Sequence, residues 1–393
     1  MTVRTLRLRN FRNYAAQEIS FPCGLVALTG DNGQGKTNLL EALCVLATTK
    51  SPLVERDREL MRWNERETRL SADVELAAGN RQQNRVLELG WRVENPENAR
   101  ATVQRDLRVG GVPQSQILNW LGQLQIVAFF PHDLTIIAGE PDQRRRFLNL
   151  ELGKSRPAHF ADSARYKRAL QQRNALLKHL SESRFRGKSP IGNAVEGLGT
   201  LSEWNKQVIT YGARVLSQRA SFLSELAPIL AQTHSELSGR GEMLTIEYST
   251  GVGVNLRGEE NADNWGTLFS QSLERNHDND LRRGTTLSGP HRDDLVFRLD
   301  EMDLRRFGSQ GQQRLAVLAL KVALAHWVER VTGEPPILLL DDALSELDST
   351  RRRRLLEQAQ GFAQSVLTAT DLKLLEDTAP QVFRVENGRV ETS

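Results

Sequence analysis

Apolar positions in the first 30 residues fall in strand-like groups. Leu6, Leu8 and Phe11 nearly alternate, and Leu25-Val26-Ala27-Leu28 is a short apolar run ending in Thr29-Gly30. An apolar helix is expected next, from about Thr37 to Ala47. Strand character returns in Leu70–Leu76 and in Val86–Val93, divided by the polar turn Gly79-Asn80-Arg81-Gln82. That pattern predicts an antiparallel hairpin or meander. Ile126–Phe130 is a fully apolar strand stopped by Pro131.

The period then changes. From Pro141 to about Ser238 the chain reads as two long helical segments, separated by the Gly/Ser/Pro-rich break Arg186–Gly192. Tyr166, Leu170, Leu177 and Leu180 form one apolar stripe; Trp204, Val208, Tyr211, Val215, Phe222, Leu226 and Leu230 form another. Both stripes read as core, and together they predict an antiparallel helical pair forming a lobe of its own. A strand follows at Met243–Tyr248, and after about Leu287 strand and helix alternate to the end, as in an α/β domain.

Composition narrows the class without choosing a function. The 393 residues allow two or three domains, and 39% hydrophobic with 26% charged residues is ordinary for a soluble protein with a real core. No run is long enough to span a bilayer, and Met1–Arg7 lacks the apolar core of a signal peptide, so a cytoplasmic chain with no membrane role is expected. Two cysteines, Cys23 and Cys44, make no disulfide framework or zinc motif. The net charge of +3 permits nucleic-acid binding without requiring it.

Two motifs carry chemistry. Gly30-Asp31-Asn32-Gly33-Gln34-Gly35-Lys36-Thr37 fits the G-x-x-x-x-G-K-[ST] phosphate loop, with a strand before it and a helix after it. Its glycines let backbone N–H groups turn inward, and the helix N-terminus adds positive potential. Lys36 is expected on the β- and γ-phosphates and the Thr37 hydroxyl on Mg²⁺. Ile337–Leu340 makes a buried strand that ends in Asp341-Asp342. There Asp341 is expected to hold Mg²⁺, directly or through water, and Asp342 to orient or deprotonate the attacking water.

Phe307-Gly308-Ser309-Gln310-Gly311-Gln312-Gln313-Arg314 opens another apolar helix and resembles the ABC signature, with Gln310 in place of one of its paired glycines. Ser345-Glu346-Leu347-Asp348 looks like the D-loop of the same group. Leu6–Tyr14 resembles the opening strand of SMC-type and RecF-type ATPase heads. Phe129–Leu134, Gly139-Glu140-Pro141, Arg144–Leu148 and Leu287–Asp294 resemble RecF segments, so that the likeness to the RecF family runs essentially end to end.

The resemblance implies an α/β fold: an ABC-type P-loop ATPase head, with a mixed sheet, flanking helices and an antiparallel β subdomain, plus an inserted α-helical lobe. The head would take 1–138 and 285–393 and the lobe 139–284, which fills the gap of 273 residues from Lys36 to Ser309. ATP would lie between two copies of the chain. Gly30, Asp31, Asn32, Gly33, Gln34, Gly35, Lys36, Thr37 and Asn38 of one copy would face Ser309, Gln310, Gly311, Gln312 and Asp348 of the other. Asp342, Lys36, Ser309 and Gly311 would carry catalysis, with Thr37 and Asp341 on Mg²⁺. The implied task is recombinational repair and replication restart after DNA damage, within the SOS response. An ATP-dependent homodimer would clamp duplex DNA at single-strand gaps, release it on slow DNA-dependent hydrolysis, and help RecO and RecR load recombinase.

Some positions depart from the wider ABC pattern. Asp342 stands where many relatives carry Glu; Thr370 or Asp371 replaces the switch histidine; the Q-loop position near Pro131 and His132 has no Gln. Arg12 is expected near the nucleotide. The runs Arg144–Arg146 and Arg351–Arg354 are candidates for DNA phosphates, although such runs are more commonly solvated helix faces. His291 and Arg292 are expected in a structural or interface role. Three rival readings differ in class: a transporter ATPase subunit lacks a use for the insertion, an SMC-like tether needs a longer coiled coil, and a small-molecule kinase needs no signature.

Overall fold

The computed structural model describes residues 1–76, 83–94, 102–185, 193–257, 264–375, 378 and 380–392. The expected turn at 79–82 and the break at 186–192 lie outside them. The strands are β1 (Thr2–Phe11), β2 (Tyr14–Ser20), β3 (Gly24–Thr29), β4 (Glu67–Leu76), β5 (Gln83–Glu94), β6 (Thr102–Val109), β7 (Val112–Pro113), β8 (Ile126–Phe129), β9 (Leu244–Ser249), β10 (Asn255–Arg257), β11 (Asp294–Leu299), β12 (Met302–Asp303), β13 (Ile337–Leu340), β14 (Gln364–Ala369), β15 (Gln381–Glu386) and β16 (Arg389–Thr392). The helices are α1 (Lys36–Thr48), α2 (Thr135–Ala138), α3 (Pro141–Ser155), α4 (Pro157–Phe185), α5 (Asn193–Ser238), α6 (Trp265–Arg283), α7 (Leu304–Phe307), α8 (Gln310–Thr332) and α9 (Ser349–Gln360).

Two compact units emerge. The first comprises Met1–Asp133, Thr233–Gly241 and Arg314–Ser393. It holds a sheet in the order β16-β15-β3-β14-β13-β8, parallel except for β16, and an antiparallel sheet in the order β2-β1-β4-β5-β6-β7. α1 is apolar around most of its surface because it packs on strands of both sheets, and Leu39, Leu43 and Leu46 share one core with Leu6, Leu70, Val26 and Val366. The all-apolar β13 is buried on both faces, as a central parallel strand requires.

The second unit comprises Leu134–Gln232 and Glu242–Gln313. Its sheet runs β10-β9-β11-β12. α4 and α5 are antiparallel: Asp162 meets Gln218, while Arg173, further along α4, meets Asn205, earlier on α5. Val208, Val215, Phe222, Leu226 and Leu230 are buried, the stripe expected from their spacing.

Two boundaries differ from expectation. The helical stretch has an additional break at Arg156, where Pro157 starts α4. Residues 285–313 group with the second unit instead of starting the head at 285, because β11 pairs along its whole length with β9.

Candidate functional site: a phosphate loop beside buried carboxylates

The 30–37 loop takes its shape from its glycines. Gly30, Gly33 and Gly35 have φ of +138°, +81° and +119°. A Cβ at Gly30 would sit 2.2 Å from the Val385 carbonyl oxygen, and one at Gly35 would sit 2.6 Å from Asn13 Nδ2. Gly35 is the N-cap of α1 and has no side-chain cap, so the first N–H groups of α1 remain available to an anion. Lys36 Nζ donates to the Gly30 carbonyl and to the Asp31 carbonyl (2.8 Å). Burial lowers its pKa, against the pull of Asp341, Asp31 and Asp342.

Asp341 leaves the end of β13 and is 5% exposed. Thr37 Oγ1 lies 3.0 Å from each of its carboxylate oxygens, and Thr368 Oγ1 donates to Oδ1 at 2.9 Å. Burial raises its pKa despite those hydroxyls. Asp342 is exposed and left-handed at φ +48°. Its N–H donates to Thr368 Oγ1 (2.8 Å), and its carbonyl accepts from Arg314 Nη2. Arg314 is buried, pairs with Glu346 at 2.9 Å and lies against the Phe129 ring.

These groups surround a cavity of about 300 Å³ lined by Asn32, Gly33, Gly35, Lys36, Thr37, Asn38, Pro131, Asp341, Asp342, Thr368, Ala369 and Thr370. Backbone amides, one lysine, a hydroxyl and a hard carboxylate are a donor set that suits polyphosphate with a hard divalent cation. Gly30, Asp31 and Gln34, also expected in the site, do not line the cavity. Gly30 and Asp31 receive Lys36, and Gln34 anchors the loop, accepting from Asn13 Nδ2 (2.9 Å), Gly388 N (3.2 Å) and Asn387 N (2.7 Å). Asn38 Nδ2 donates to Asn13 Oδ1 at 2.9 Å. Asn13 and Tyr14, whose hydroxyl donates to the Gly35 carbonyl (3.0 Å), entered the sequence reading only as the end of the Leu6–Tyr14 resemblance, and nothing local marks Thr368 or the Asn387-Gly388 turn.

The second half of the expected site lies in the other unit. Ser309 and Gln312 cap the start of α8 reciprocally: Ser309 N donates to Gln312 Oε1 (2.9 Å) and Gln312 N donates to Ser309 Oγ (3.2 Å). Ser309, Gln310 and Gly311 are exposed, and a Cβ on Gly311 would meet nothing within 4 Å. Phe307, two residues earlier, is 70% exposed. Asp348 caps α9 by accepting from Arg351 N at 2.9 Å, which holds its carboxyl below the usual range.

Arg12 and Arg144 differ from expectation, whereas His291 takes the structural role expected of it. Arg12 does not line the cavity; it is bound to Glu41 on α1 and to the Glu59 carbonyl. Arg144 is neither a solvated helix face nor open to phosphates, being 2% exposed and paired with Asp294. Arg145 donates to the Asp293 carbonyl, and only Arg146 of that run is exposed. In the second run Arg351 pairs with Asp348, Arg352 donates to the Leu347 carbonyl and Arg353 pairs with Glu357. His291 is held between the Tyr166 hydroxyl (2.6 Å) and the Thr286 carbonyl (3.0 Å), and burial lowers its pKa to about 4.

Comparison with known proteins agrees with this geometry. The RecF/RecN/SMC N-terminal domain family matches residues 2–392. The DNA replication and repair protein RecF of Natranaerobius thermophilus is 34% identical over 99% of this chain and 97% of its own; that of Synechocystis sp. is 37% identical over 100% and 98%. Among solved structures, the recombination mediator protein RecF with ATP, of the RecFOR pathway, superposes with a TM-score of 0.83 at 29% identity, covering 100% of this chain and 97% of that one. An Smc head domain from Pyrococcus furiosus gives 0.53 at 14% identity, covering 100% and 95%, a likeness of fold alone. Matched end to end in sequence and in fold, the chain belongs to the RecF family.

Proposed function

We propose that the protein is an ATP-dependent DNA-binding switch of recombinational repair and replication restart, acting in the cytoplasm as a homodimer closed by ATP. The phosphate loop of one copy and Ser309-Gln310-Gly311 of a second copy enclose the nucleotide between them. Thr37 and Asp341 would hold Mg²⁺, which would neutralise phosphate charge when bound. Lys36 leaves its loop carbonyls for the β- and γ-phosphates, and the α1 amides orient them. Asp342 orients or deprotonates the attacking water, while Ser309 and Gly311 present a hydroxyl, backbone amides and a helix N-terminus to the γ-phosphate. Gln312 and Asp348 complete that opposing face.

One observation supports this above the others. The Thr37–Asp341 pair stands at the phosphate loop with its carboxylate buried and free of any ion pair among the described residues, while the signature stands bare at the start of α8. The closed dimer clamps duplex DNA at single-strand gaps, and slow, DNA-stimulated hydrolysis releases it. ATP acts through its differential affinity for the closed state. Full-length RecF relatives, including one solved with ATP in the RecFOR pathway, support DNA, RecO and RecR as partners. Among the described residues no helix is long and apolar enough to cross a membrane.

Sedimentation velocity tests the split site. Wild type is expected to dimerise with Mg²⁺–ATP, and Ser309→Arg to bind ATP yet stay monomeric, with or without duplex DNA. Wild type that stayed monomeric under every condition, RecR included, would refute nucleotide sharing between copies.

A further inference from the structure

Trp63 is 90% exposed, the largest exposure of any big apolar side chain among the described residues. Its loop is firmly tied. Arg62 N donates to the Asn10 carbonyl (2.8 Å), Glu65 N to the Arg62 carbonyl (3.1 Å) and Val93 N to the Arg66 carbonyl (2.9 Å). Beneath it, Arg12 N donates to the Leu60 carbonyl and the Arg12 guanidinium to the Glu59 carbonyl, while the same guanidinium grips the fully buried Glu41. Asn10, Arg12 and Asn64 are all left-handed without being glycine, at φ +52°, +51° and +65°. Backbone of that kind persists only where its surroundings over-determine it. An indole is thus held out into solvent on a hydrogen-bonded loop, over a left-handed Arg12 fixed through both its N–H and its guanidinium.

The charges around it are unbalanced. Arg9, Arg56, Arg58, Arg62 and Arg66 are exposed, and none has an acidic partner among the described residues. The neighbouring carboxylates are mostly engaged: Asp57 by Arg105 and the Trp91 indole N–H, Glu65 by Asn10, and Glu67 by Arg92. Glu55, Glu59 and Glu65, the last held only by a neutral amide, leave two of the five positive charges without an offset among the described residues. A flat aromatic ring among free guanidinium groups matches nucleic acid, whose bases stack on the ring while its phosphates take the cations. A second copy presenting this same patch fits poorly, because like charges would then stand face to face.

We propose that Trp63 stacks on an unpaired base exposed at the edge of a single-strand gap, with Arg62 and Arg66 on the flanking phosphates. The proposal rests on the DNA-binding function given above and supplies what that function lacks, a means of telling gapped from fully paired DNA. A paired duplex keeps its bases stacked on each other and offers the indole no free face. The contact is also wired to the nucleotide site. The turn that carries Asn10 and Arg12 continues into Asn13, which donates to the Gln34 carbonyl of the phosphate loop and accepts from Asn38.

Fluorescence anisotropy with labelled gapped duplex and fully paired duplex of equal length, in Mg²⁺–ATP, tests this. Trp63→Ala is expected to weaken gapped-DNA binding about tenfold while leaving paired DNA unchanged, and Trp63→Phe to retain most of the preference. Arg62→Ala with Arg66→Ala is expected to weaken both DNAs and lower the salt slope by about two. Because Trp63 lies outside the core, an unchanged melting curve for Trp63→Ala checks the fold. Gapped-DNA affinity equal to wild type, or equal losses on both DNAs, would overturn the proposal. So would a Trp63→Ala protein unable to dimerise with ATP, which would assign the indole to a contact between copies. Wild type that binds neither DNA would overturn the DNA-binding function itself, a result separable from all the others.

Discussion

Buried charge is used in opposite ways in the two compact units. Beside the phosphate loop, Asp341 is almost wholly buried and is met by two threonine hydroxyls, with no ion pair among the described residues, and Lys36 is met by carbonyls. Burial moves both groups toward their neutral forms. In the second unit Asp293, also fully buried, accepts from Arg219, from the Tyr248 hydroxyl and from Gly251 N, and Arg219 also donates to Asn149. A second set repeats the pattern: Arg173 pairs with Asp280 and donates to Thr286 and Asn205. A network in which every carboxylate oxygen is met has little left to offer a ligand and serves to fix packing, although Arg219 Nε itself has no partner among the described residues. An unsaturated carboxylate beside an unsaturated lysine costs folding energy and keeps its bonding capacity for something else.

That contrast is most sharply tested by removing one carboxylate from each unit. Asp293→Ala leaves the Arg219 guanidinium buried without its counter-charge and is expected to cost about 3–5 kcal/mol of stability. Asp341→Ala removes a carboxylate that, unlike Asp293, has no ion pair among the described residues, so the thermal midpoint is expected to hold or rise while ATP hydrolysis is lost. Calorimetry of both variants, with a turnover assay on each, checks the pair. Equal loss of stability in both would mean that Asp341 is structural, and the distinction between the units would fail.

The sequence made the phosphate loop, the carboxylates after β13 and the α5 stripe legible, because each has a local spacing: a glycine pattern, an apolar run and a helical period. It did not show what braces them. Asn13 reaches Gln34, Thr368 reaches both Asp341 and Asp342, and Gly388 reaches Gln34 across most of the chain. Small polar residues form such bonds from any local context, so only the assembled sheets reveal them. Arg144 was misjudged for a related reason. Successive helix positions are turned by about 100°, so a run of three arginines points three ways, and one of them faces inward. β6 was missed because it alternates between exposed and half-buried positions with few strongly apolar residues. The grouping of 285–313 with the helical unit follows from β9–β11 pairing, a long-range register that no local period announces.

Arg314 sharpens the comparison, since it is a buried cation of the first unit that has an ion pair and a carbonyl bond like Arg219 of the second, the Nε of each being left without a partner among the described residues. It fixes the carbonyl of left-handed Asp342 while Thr368 fixes its N–H, so the direction of the Asp342 carboxylate depends on both clamps. Arg314→Gln is expected to lower kcat for ATP hydrolysis by about 10–100-fold with little change in KM, because mispositioning a catalytic group by an ångström or less costs on that order. Thr368→Ser, which keeps the hydroxyl, is expected to stay near wild type. A matching rise in KM for Arg314→Gln would point instead to a damaged binding site, and steady-state kinetics separates the two.

The smallest expected effect is a dependence of stability on pH from two buried histidines of the second unit. His159 and His291 are both buried there and both held at a pKa of about 4, chiefly by burial. Around His291, Arg292, Arg145 and Arg173 add positive charge, and the Thr286 carbonyl is its opposing influence. A histidine whose folded pKa lies below its unfolded value of about 6.5 takes up its proton more readily when unfolded. Stability is therefore complete above pH 6.5 and falls as the pH drops from there toward 4, by at most about 2 kcal/mol per histidine at pH 5. His291→Gln keeps an amide donor for the Thr286 carbonyl and an acceptor for the Tyr166 hydroxyl, with nothing to titrate. Denaturant unfolding at pH 7 and pH 5 is expected to show a smaller drop for His291→Gln than for wild type. Equal drops would mean that the acid sensitivity resides elsewhere, with the carboxylates of either unit as the next groups to replace.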